Sequence, residues 1–277
     1  MGELSTATCM CRILGYLGSS ISLNRLVLEP EHSLLVQSYK PKELDNAVLN
    51  GDGFGLGWHR DRPGEKTGEE PFVYQNILPM WNDRNLADLC RHIQSQNFVV
   101  NLRSATHKMP IDLSNCQPFK HKDILFVHNG LIENFFESLQ RPIREKLCDM
   151  AYRKIQGLTD SEHIFALLVH HLETEPGLDL AEALKRTMQA LIELAEQKDV
   201  RIAANIILTT GDRMVAVRYD NRQKAPSFYL MKNAPQFPDS VILTSEAPFE
   251  GDWQTYQQGE IISVERDLNI KSYATLR

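Results

Sequence analysis

Cys11 follows Met10 directly, so loss of the residues before it would make a cysteine the first residue of the chain. A cysteine in that position carries a thiol and a free α-amine. The reference pKa of an α-amine is roughly 7.7–8.0, so near neutral pH a useful fraction is unprotonated and takes the thiol proton. Cys11 is therefore a candidate nucleophile, although a buried cysteine on a strand is the commoner explanation for a single free cysteine.

Residues 1–10 bear directly on this chemistry, because the Cys11 nitrogen is an amide while they remain attached, and an amide cannot act as a base. Translation from Met10 with removal of that methionine would expose the amine, and so would cleavage of residues 1–10 as a short propeptide. We favour the first route, since the segment has neither an apolar core nor a basic run. The expected organisation is an extra segment at 1–10 and one domain over 11–277.

Three other segments could complete a site. Arg103 follows an apolar, strand-like stretch and could hold a carboxylate through two parallel hydrogen bonds, although a solvated arginine is the more frequent case. Asn129 and Gly130 end another such stretch and could form an oxyanion hole, but Asn-Gly is also a common turn. Asp160 belongs to a Thr-Asp-Ser-Glu capping box and could cap a helix or pair with an ammonium group.

The composition excludes several classes of function. The 277 residues, 42% hydrophobic and 24% charged, can bury a full core. A net charge of −6 with no basic stripe argues against nucleic acid as a partner. No apolar run approaches the roughly 18–20 residues of a membrane span, and no signal peptide is expected. We therefore expect neither a nucleic-acid nor a membrane partner.

Cysteine and histidine usage points to a reducing compartment without a metal site. The five cysteines form no CxxC pair and no disulfide framework, which favours a cytoplasmic location. Cys116, His121 and His128 lack a compact zinc-ligand spacing. We expect no metal and no cofactor.

The elements that must position these residues follow from hydrophobic periodicity. Helices are expected at about 161–171 and 180–195, and a third helical pattern at 134–155 is interrupted by Pro142, which predicts two helices or a kink. The glycine-rich segment at 51–57 predicts a tight turn into a strand, and residues 61–71 an exposed hairpin loop. Strands are expected at 12–18, 98–104, 123–128, 205–210, 214–219, 227–231, 240–244 and 260–265. This order predicts an α+β fold with antiparallel sheets covered by helices.

The motifs, taken in order, resemble the class II glutamine amidotransferase family of N-terminal nucleophile hydrolases. The resemblance covers the chain from Cys11 to about residue 168. It is carried by Met-Cys-Arg at 10–12, Gly-Asp-Gly-Phe-Gly at 51–55, Arg-Ser-Ala-Thr-His at 103–107, His-Asn-Gly-Leu-Ile-Glu-Asn at 128–134 and Thr-Asp-Ser-Glu at 159–162.

The resemblance implies a four-layer αββα sandwich, in which two antiparallel sheets lie between helical layers. It also implies a small-molecule γ-glutamyl substrate, and it leaves homo-oligomer formation open. The roles that it implies are nucleophile for Cys11, α-carboxylate ligand for Arg103, α-ammonium ligand for Asp160, oxyanion hole for Asn129 and Gly130, and positions near the glutamyl pocket for Thr106 and His107.

Within this family, the segments at 34–39, 50–55, 103–106, 109–111 and 245–248 are most similar to the γ-glutamyl amidohydrolases of ergothioneine biosynthesis. This similarity implies cleavage of γ-glutamyl-hercynylcysteine sulfoxide to glutamate and hercynylcysteine sulfoxide. Glutathione or another γ-glutamyl peptide, and glutamine as an ammonia source for a partner, remain alternatives, as does a catalytically silent γ-glutamyl-binding protein. Tyr39, Phe54 and Trp58 are candidates for contact with a trimethylammonium leaving group.

Overall fold

Two antiparallel sheets stack face to face in the computed structural model, which describes residues 11–43, 49–61, 69–105, 109–222 and 224–276. The seven-stranded sheet has the order β11-β9-β10-β1-β4-β2-β3, and the six-stranded sheet the order β13-β12-β8-β7-β6-β5. The strands are β1 (Arg12–Ser22), β2 (Phe54–Trp58), β3 (Phe72–Asn76), β4 (Gln94–Leu102), β5 (Phe119–His121), β6 (Ile124–Ile132), β7 (Ile202–Thr209), β8 (Met214–Asp220), β9 (Tyr229–Ala234), β10 (Phe237–Thr244), β11 (Gln254–Thr255), β12 (Glu260–Val264) and β13 (Ile270–Thr275).

Helices cover the outer face of each sheet. Those numbered α1 to α3 pack on the seven-stranded sheet, whereas α5, α7 and α8 pack on the six-stranded sheet. The result is the four-layer αββα sandwich that the family resemblance implies. The helices are α1 (Asn24–Val27), α2 (Leu34–Tyr39), α3 (Leu86–His92), α4 (Phe135–Ser138), α5 (Gln140–Lys146), α6 (Asp149–Lys154), α7 (Asp160–Thr174) and α8 (Leu180–Lys198).

Alternation along the strands divides the apolar side chains between the layers. On β1, Ile13 and Leu17 face the core between the sheets, while Leu14 and Tyr16 face the helices. On β6, Leu125 and Val127 likewise face the core between the sheets. Because successive side chains of a strand point to opposite faces, the same alternation determines which polar residues at the strand ends enter the space between the sheets.

The predicted elements are largely confirmed, and α8 extends three residues beyond its predicted end to Lys198. The prediction that Pro142 interrupts the helical pattern at 134–155 is wrong. The segment forms three short helices, and Pro142 lies within α5 as its third residue, where the missing N–H has no intrahelical partner. The predicted loop at 61–71 lies largely outside the described residues, although β2 and β3 on either side of it pair with each other.

Four strands had no sequence prediction. β3, β5, β11 and β13 are the edge strands of the two sheets, and their short or exposed sequences lack a continuous apolar run. Edge strands are hard to predict because only one of their sides is paired and little of their surface is buried. No described helix has the length and apolarity to cross a membrane, and the described residues hold no group of metal-binding side chains.

Candidate active site

Strand alternation brings the predicted site residues to one end of the space between the sheets. Cys11 precedes β1 and lies two positions before Ile13, so it is on the strand face that points into the space between the sheets. Arg103 follows β4 and lies four positions after Val99, so it is on the corresponding face of that strand. Asn129 on β6 shares the parity of Val127, from the facing sheet. Since β1 pairs with β4 through Arg12 and Leu102, Cys11 and Arg103 leave their strands side by side.

The Cys11 thiol is partly buried and lies among charged groups. It donates a hydrogen bond to the carbonyl of Ser104 at 3.9 Å. Burial raises the pKa of the thiol, while Ser104 and the Arg103 guanidinium oppose that change and the Asp160 carboxylate adds to it. The charges of Arg103 and Asp160 therefore both act on the sulfur, which brings residues from two separate motifs to one place.

Arg103 is positioned by backbone carbonyls. Its side chain donates from Nη1 to the carbonyl of Asp52 at 3.1 Å and from Nη2 to the carbonyl of Pro110 at 3.2 Å, and the residue is only 4% exposed. The Asp52 carboxylate accepts the backbone N–H of Ala105 at 2.7 Å, which fixes the loop after Arg103. Among the described residues no carboxylate forms an ion pair with Arg103, so its buried charge is left for a ligand anion.

Asp160 presents the opposite charge at the start of α7. Its Oδ2 accepts the backbone N–H of Ile132 at 2.9 Å, and its Oδ1 accepts the N–H of Ser161 at 2.7 Å. The predicted helix start is confirmed, because the Thr159 hydroxyl accepts the N–H of Glu162. A carboxylate in the first turn is stabilised by the helix dipole. Within the described ranges Asp160 has no cationic partner, which leaves it able to bind an ammonium group.

Asn129 and Gly130 lie on β6, opposite Asn205 and Ala204 of β7. Asn129 is 1% exposed, and its Oδ1 accepts no hydrogen bond from any residue that the structure describes. A Cβ at Gly130 would lie 1.9 Å from the Ala203 carbonyl, so packing alone requires glycine there. The preceding residue, His128, forms a hydrogen bond of 2.8 Å between its Nδ1 and Ser161 Oγ. Burial lowers the pKa of His128, so its imidazole is neutral near pH 7.

Two further buried amides at this end of the sheets were not predicted from the sequence. Asn101 on β4 has the inward parity of Arg103, and neither its Oδ1 nor its Nδ2 has a partner among the described residues. Asn205 on β7 is paired in register with Asn129, and its Oδ1 is similarly unpaired within the described chain. Polar residues in otherwise apolar strands are the sequence signal that could have identified them.

The three aromatic residues predicted to contact the leaving group have different surroundings in the structure. Phe54 is fully buried between its sheet and the helices, which excludes it from the site, and Trp58 stacks on Phe72. Tyr39 is exposed and lies edge-to-face with Trp81, a residue that no sequence motif indicated. Trp81 packs over Gly51, where a Cβ would lie 3.1 Å from the indole ring.

Thr106 and His107 lie outside the described residues, so their predicted positions near the glutamyl pocket stay predictions. The glycine-rich segment behaves as expected. It turns at Gly53, which has a φ of +114°, and leads directly into β2. Asp52 in that turn is the residue that contacts Arg103.

Comparison with known proteins places this arrangement in a family. Residues 36–248 match the family model for class II glutamine amidotransferases. The chain is 28% identical to the γ-glutamyl-hercynylcysteine sulfoxide hydrolase of Mycolicibacterium smegmatis, over 94% of this chain and 98% of that protein. It is 27% identical to a protein of Saccharomyces cerevisiae named a probable glutamine amidotransferase, over 93% and 82% of the two chains.

Solved structures share the fold. A class II glutamine aminotransferase domain protein from Silicibacter pomeroyi superposes with a TM-score of 0.68 at 24% identity, covering 96% of this chain and 100% of that one. The glutamine phosphoribosylpyrophosphate amidotransferase of B. subtilis superposes with a TM-score of 0.64 at 15% identity, covering 95% of this chain and 49% of that one. With the family match over most of its length, this chain belongs to the class II glutamine amidotransferases.

Proposed function

We propose that this protein hydrolyses a γ-glutamyl amide through a thioester on Cys11, and that its substrate is γ-glutamyl-hercynylcysteine sulfoxide. The products are glutamate and hercynylcysteine sulfoxide. Similarity to the γ-glutamyl-hercynylcysteine sulfoxide hydrolase of Mycolicibacterium smegmatis supports the substrate, and the arrangement of charges around Cys11 supports the reaction.

One observation carries the proposal. Arg103 and Asp160 are opposite charges that both act on the Cys11 thiol, and within the described ranges neither forms an ion pair. Arg103 is buried, and a buried charge without an ion-pair partner is costly, so the arrangement is best explained by a ligand that supplies both countercharges. A γ-glutamyl group does so, because it carries a free α-carboxylate and a free α-ammonium beside the amide to be cut.

The chemistry follows from these positions. With Cys11 as first residue, its amine takes the thiol proton, and the thiolate attacks the γ-carbonyl carbon. Asn129 and Gly130 donate hydrogen bonds to the oxyanion. The C–N bond then breaks, the leaving amine takes the proton, and a γ-glutamyl thioester remains. Water then attacks that thioester and gives a proton to the Cys11 α-amine. The C–S bond breaks, glutamate is released, and the proton passes to the Cys11 thiolate.

An exposed aromatic pair lies near the turn that holds Arg103, and we propose that it contacts the leaving group. The Tyr39–Trp81 pair is exposed beside Gly51, and the adjacent Asp52 contacts Arg103. An aromatic face attracts a quaternary ammonium group, as the trimethylammonium of a hercynyl group requires. This feature favours the ergothioneine precursor over glutathione, which has no such cation.

The test is glutamate release from γ-glutamyl-hercynylcysteine sulfoxide, glutathione and glutamine at equal concentration. Two forms of the protein are compared, the full 277-residue chain and a form that begins at Cys11. We expect strong preference for the sulfoxide and activity only when Cys11 is first. Comparable turnover of glutathione or glutamine would discard the substrate but keep the mechanism.

Two controls separate mechanism from substrate. Cys11→Ala should abolish release from all three compounds without unfolding the protein, and retained activity would contradict the nucleophile. Trp81→Leu should slow the sulfoxide reaction while leaving glutathione turnover unchanged. The intact mass of the protein from its native cell determines whether it begins at Met1 or Cys11, and a chain that keeps residues 1–10 would favour a silent γ-glutamyl-binding protein.

A further inference from the structure

Glu246 is a buried carboxylate that the proposed mechanism does not use. Both its oxygens are occupied, Oε2 by Arg12 Nε at 2.7 Å and by the backbone N–H of Glu43 at 3.2 Å, and Oε1 by His32 Nε2 and by the backbone N–H of Lys42 at 2.7 Å. Burial alone would raise the pKa of Glu246, but Arg12 and these donors together lower it, so the group is ionised near neutral pH.

Arg12 connects this carboxylate to the nucleophile. Its side chain is 2% exposed and uses Nε for Glu246 and Nη1 for the backbone carbonyl of Cys11, at 3.1 Å. The guanidinium is planar, so these two contacts orient each other. With the Cys11 carbonyl held, the remaining freedom of a terminal Cys11 is rotation about its Cα–C and Cα–Cβ bonds, which set the amine and the thiol.

Glu246 is also linked, through its backbone carbonyl, to the segment that leads to the loop holding Arg103. The Gln37 amide donates to the backbone carbonyl of Glu246 at 3.3 Å and to that of His32 at 2.9 Å. The Gln37 carbonyl in turn accepts from the Asn50 side chain at 3.3 Å, two residues before Asp52. Glu246 therefore contacts Arg12 beside the nucleophile through its carboxylate and, through its backbone carbonyl and Gln37, the segment before the turn at Arg103.

The strand is held at this end by other contacts as well as by this pair. The ladder already joins β1 to β4 and to β10, and Ser245 and Ile13 exchange further hydrogen bonds at the same end. Buried ion pairs contribute little net stability compared with well-packed apolar residues. An ion pair with only a structural role would not need the hydrogen bond from Arg12 to the Cys11 carbonyl.

We propose that Glu246 is a positioning residue, which acts through Arg12 to hold Cys11 in the orientation required for attack on a bound γ-glutamyl carbonyl. The proposal rests on the proposed function, because it assumes Cys11 to be the nucleophile. It predicts a loss of rate with bound substrate while the general reactivity of the thiol is retained.

The test compares two alkylating reagents on the form that begins at Cys11. A glutamine-shaped chloroketone reacts only when the glutamyl group and the thiol are both placed, whereas iodoacetamide reports thiol reactivity alone. Arg12→Lys keeps a positive charge beside Glu246, but it lacks the planar fork that fixes Glu246 and the Cys11 carbonyl relative to each other. Because misplacement by about 1 Å can cost ~10²-fold, we expect chloroketone alkylation and kcat to fall on the order of 10²-fold. The iodoacetamide rate and KM should change far less.

Arg213→Lys is the matched control. Arg213 also bridges two partners, Asp179 at 2.6 Å and Ser263 at 2.7 Å, but its carbonyl contacts Asn97, which pairs with Leu17 in the middle of β1 and not with the end near Cys11. Its variant should leave both alkylation rates unchanged. Glu246→Gln should reproduce the selective slowing seen in Arg12→Lys, with folding followed by denaturant unfolding.

The outcomes separate the two proposals. A wild-type protein without preference for the chloroketone would contradict the proposed function itself. A wild-type preference that Arg12→Lys keeps in full would overturn the positioning role alone. Equal slowing with both reagents would also overturn it, because the loss would then lie in access to the thiol and not in its placement.

Discussion

Arg103 and Asp52 hold each other in place through two hydrogen bonds of 3.1 Å. The N–H of Asp52 donates to the Arg103 carbonyl, and Nη1 of Arg103 donates back to the Asp52 carbonyl. The guanidinium is thereby oriented in advance of ligand binding. A preorganised charge loses less entropy on binding than a mobile one, so under the proposed function this turn should raise the affinity for the glutamyl group.

Arg103→Lys tests this orientation. Lysine keeps the charge but loses the planar fork, so it cannot hold a carboxylate through two hydrogen bonds while contacting Asp52. We expect kcat/KM for a γ-glutamyl substrate to fall by about 10–100-fold, which corresponds to the roughly 1.5–3 kcal/mol of a hydrogen bond to a charged group. Steady-state kinetics measure the change, and a variant with the wild-type kcat/KM would remove Arg103 from the binding site.

Asn129→Ala tests the oxyanion hole. Removing one such donor typically costs ~10²–10³ in kcat, with little effect on KM when the donor acts only in the transition state. Asn205→Ala on the neighbouring strand is the matched control, since it removes a similarly buried amide from the same region. Equal losses of kcat in the two variants would indicate packing as the cause.

Asp160→Asn tests recognition of the α-ammonium. With a γ-glutamyl amide we expect kcat/KM to fall by about 10–100-fold, because a charged hydrogen bond becomes neutral. With the corresponding glutaryl amide, which lacks the α-amine, the variant and the wild type should be equal. A similar loss on both substrates would assign Asp160 to the structure of the helix start, where Ile132 and Ser161 donate to it.

The reactivity of Cys11 should depend on its own amine. Burial raises the thiol pKa, so a chain that keeps residues 1–10 holds little thiolate at pH 7. In that form, alkylation of Cys11 should increase about tenfold for each pH unit above neutral, following the thiolate fraction, without a plateau below the usual cysteine range. The form that begins at Cys11 should react faster near pH 7. Mass spectrometry of the peptides separates Cys11 from Cys9, and identical profiles would exclude the amine as base.

His59 should make the fold sensitive to acid. It is buried at the end of β2 beside Thr209, and burial lowers its pKa from 6.5 to about 4. The unfolded chain therefore binds more protons between those values, so stability is fully present above pH 6.5 and is lost as pH falls towards 4. Between pH 8 and 5 this residue should contribute about 2 kcal/mol of the loss.

Urea unfolding at the two pH values measures that effect. His59→Gln removes the titrating group and should flatten the pH dependence by about the same amount, about 2 kcal/mol. His163, whose pKa burial also lowers to about 4, and His128, whose pKa burial also lowers, remain in that variant and contribute to the residual slope. An unchanged pH dependence in His59→Gln would show that His59 is not protonated on unfolding in this range.

Secondary-structure elements could be predicted from the sequence, whereas contacts between distant residues could not. The long strands and α7 and α8 were predictable because their apolar residues repeat with the period of the element, which is a local property. The order of the motifs along the chain likewise indicated Cys11, Arg103, Asn129 and Asp160. The prediction at Pro142 was wrong because proline breaks a helix interior but is tolerated in its first turn.

The tertiary structure decided which of these residues act on one another. Arg12 and Glu246 are 234 positions apart and meet only because β1 pairs with β10, and Trp81 reaches Gly51 only through packing of a loop against a turn. It also removed Phe54 from the site, since strand alternation turns its ring towards the helices. Residue types and local periodicity are written in the chain, whereas ladder register and layer packing set every contact between distant positions.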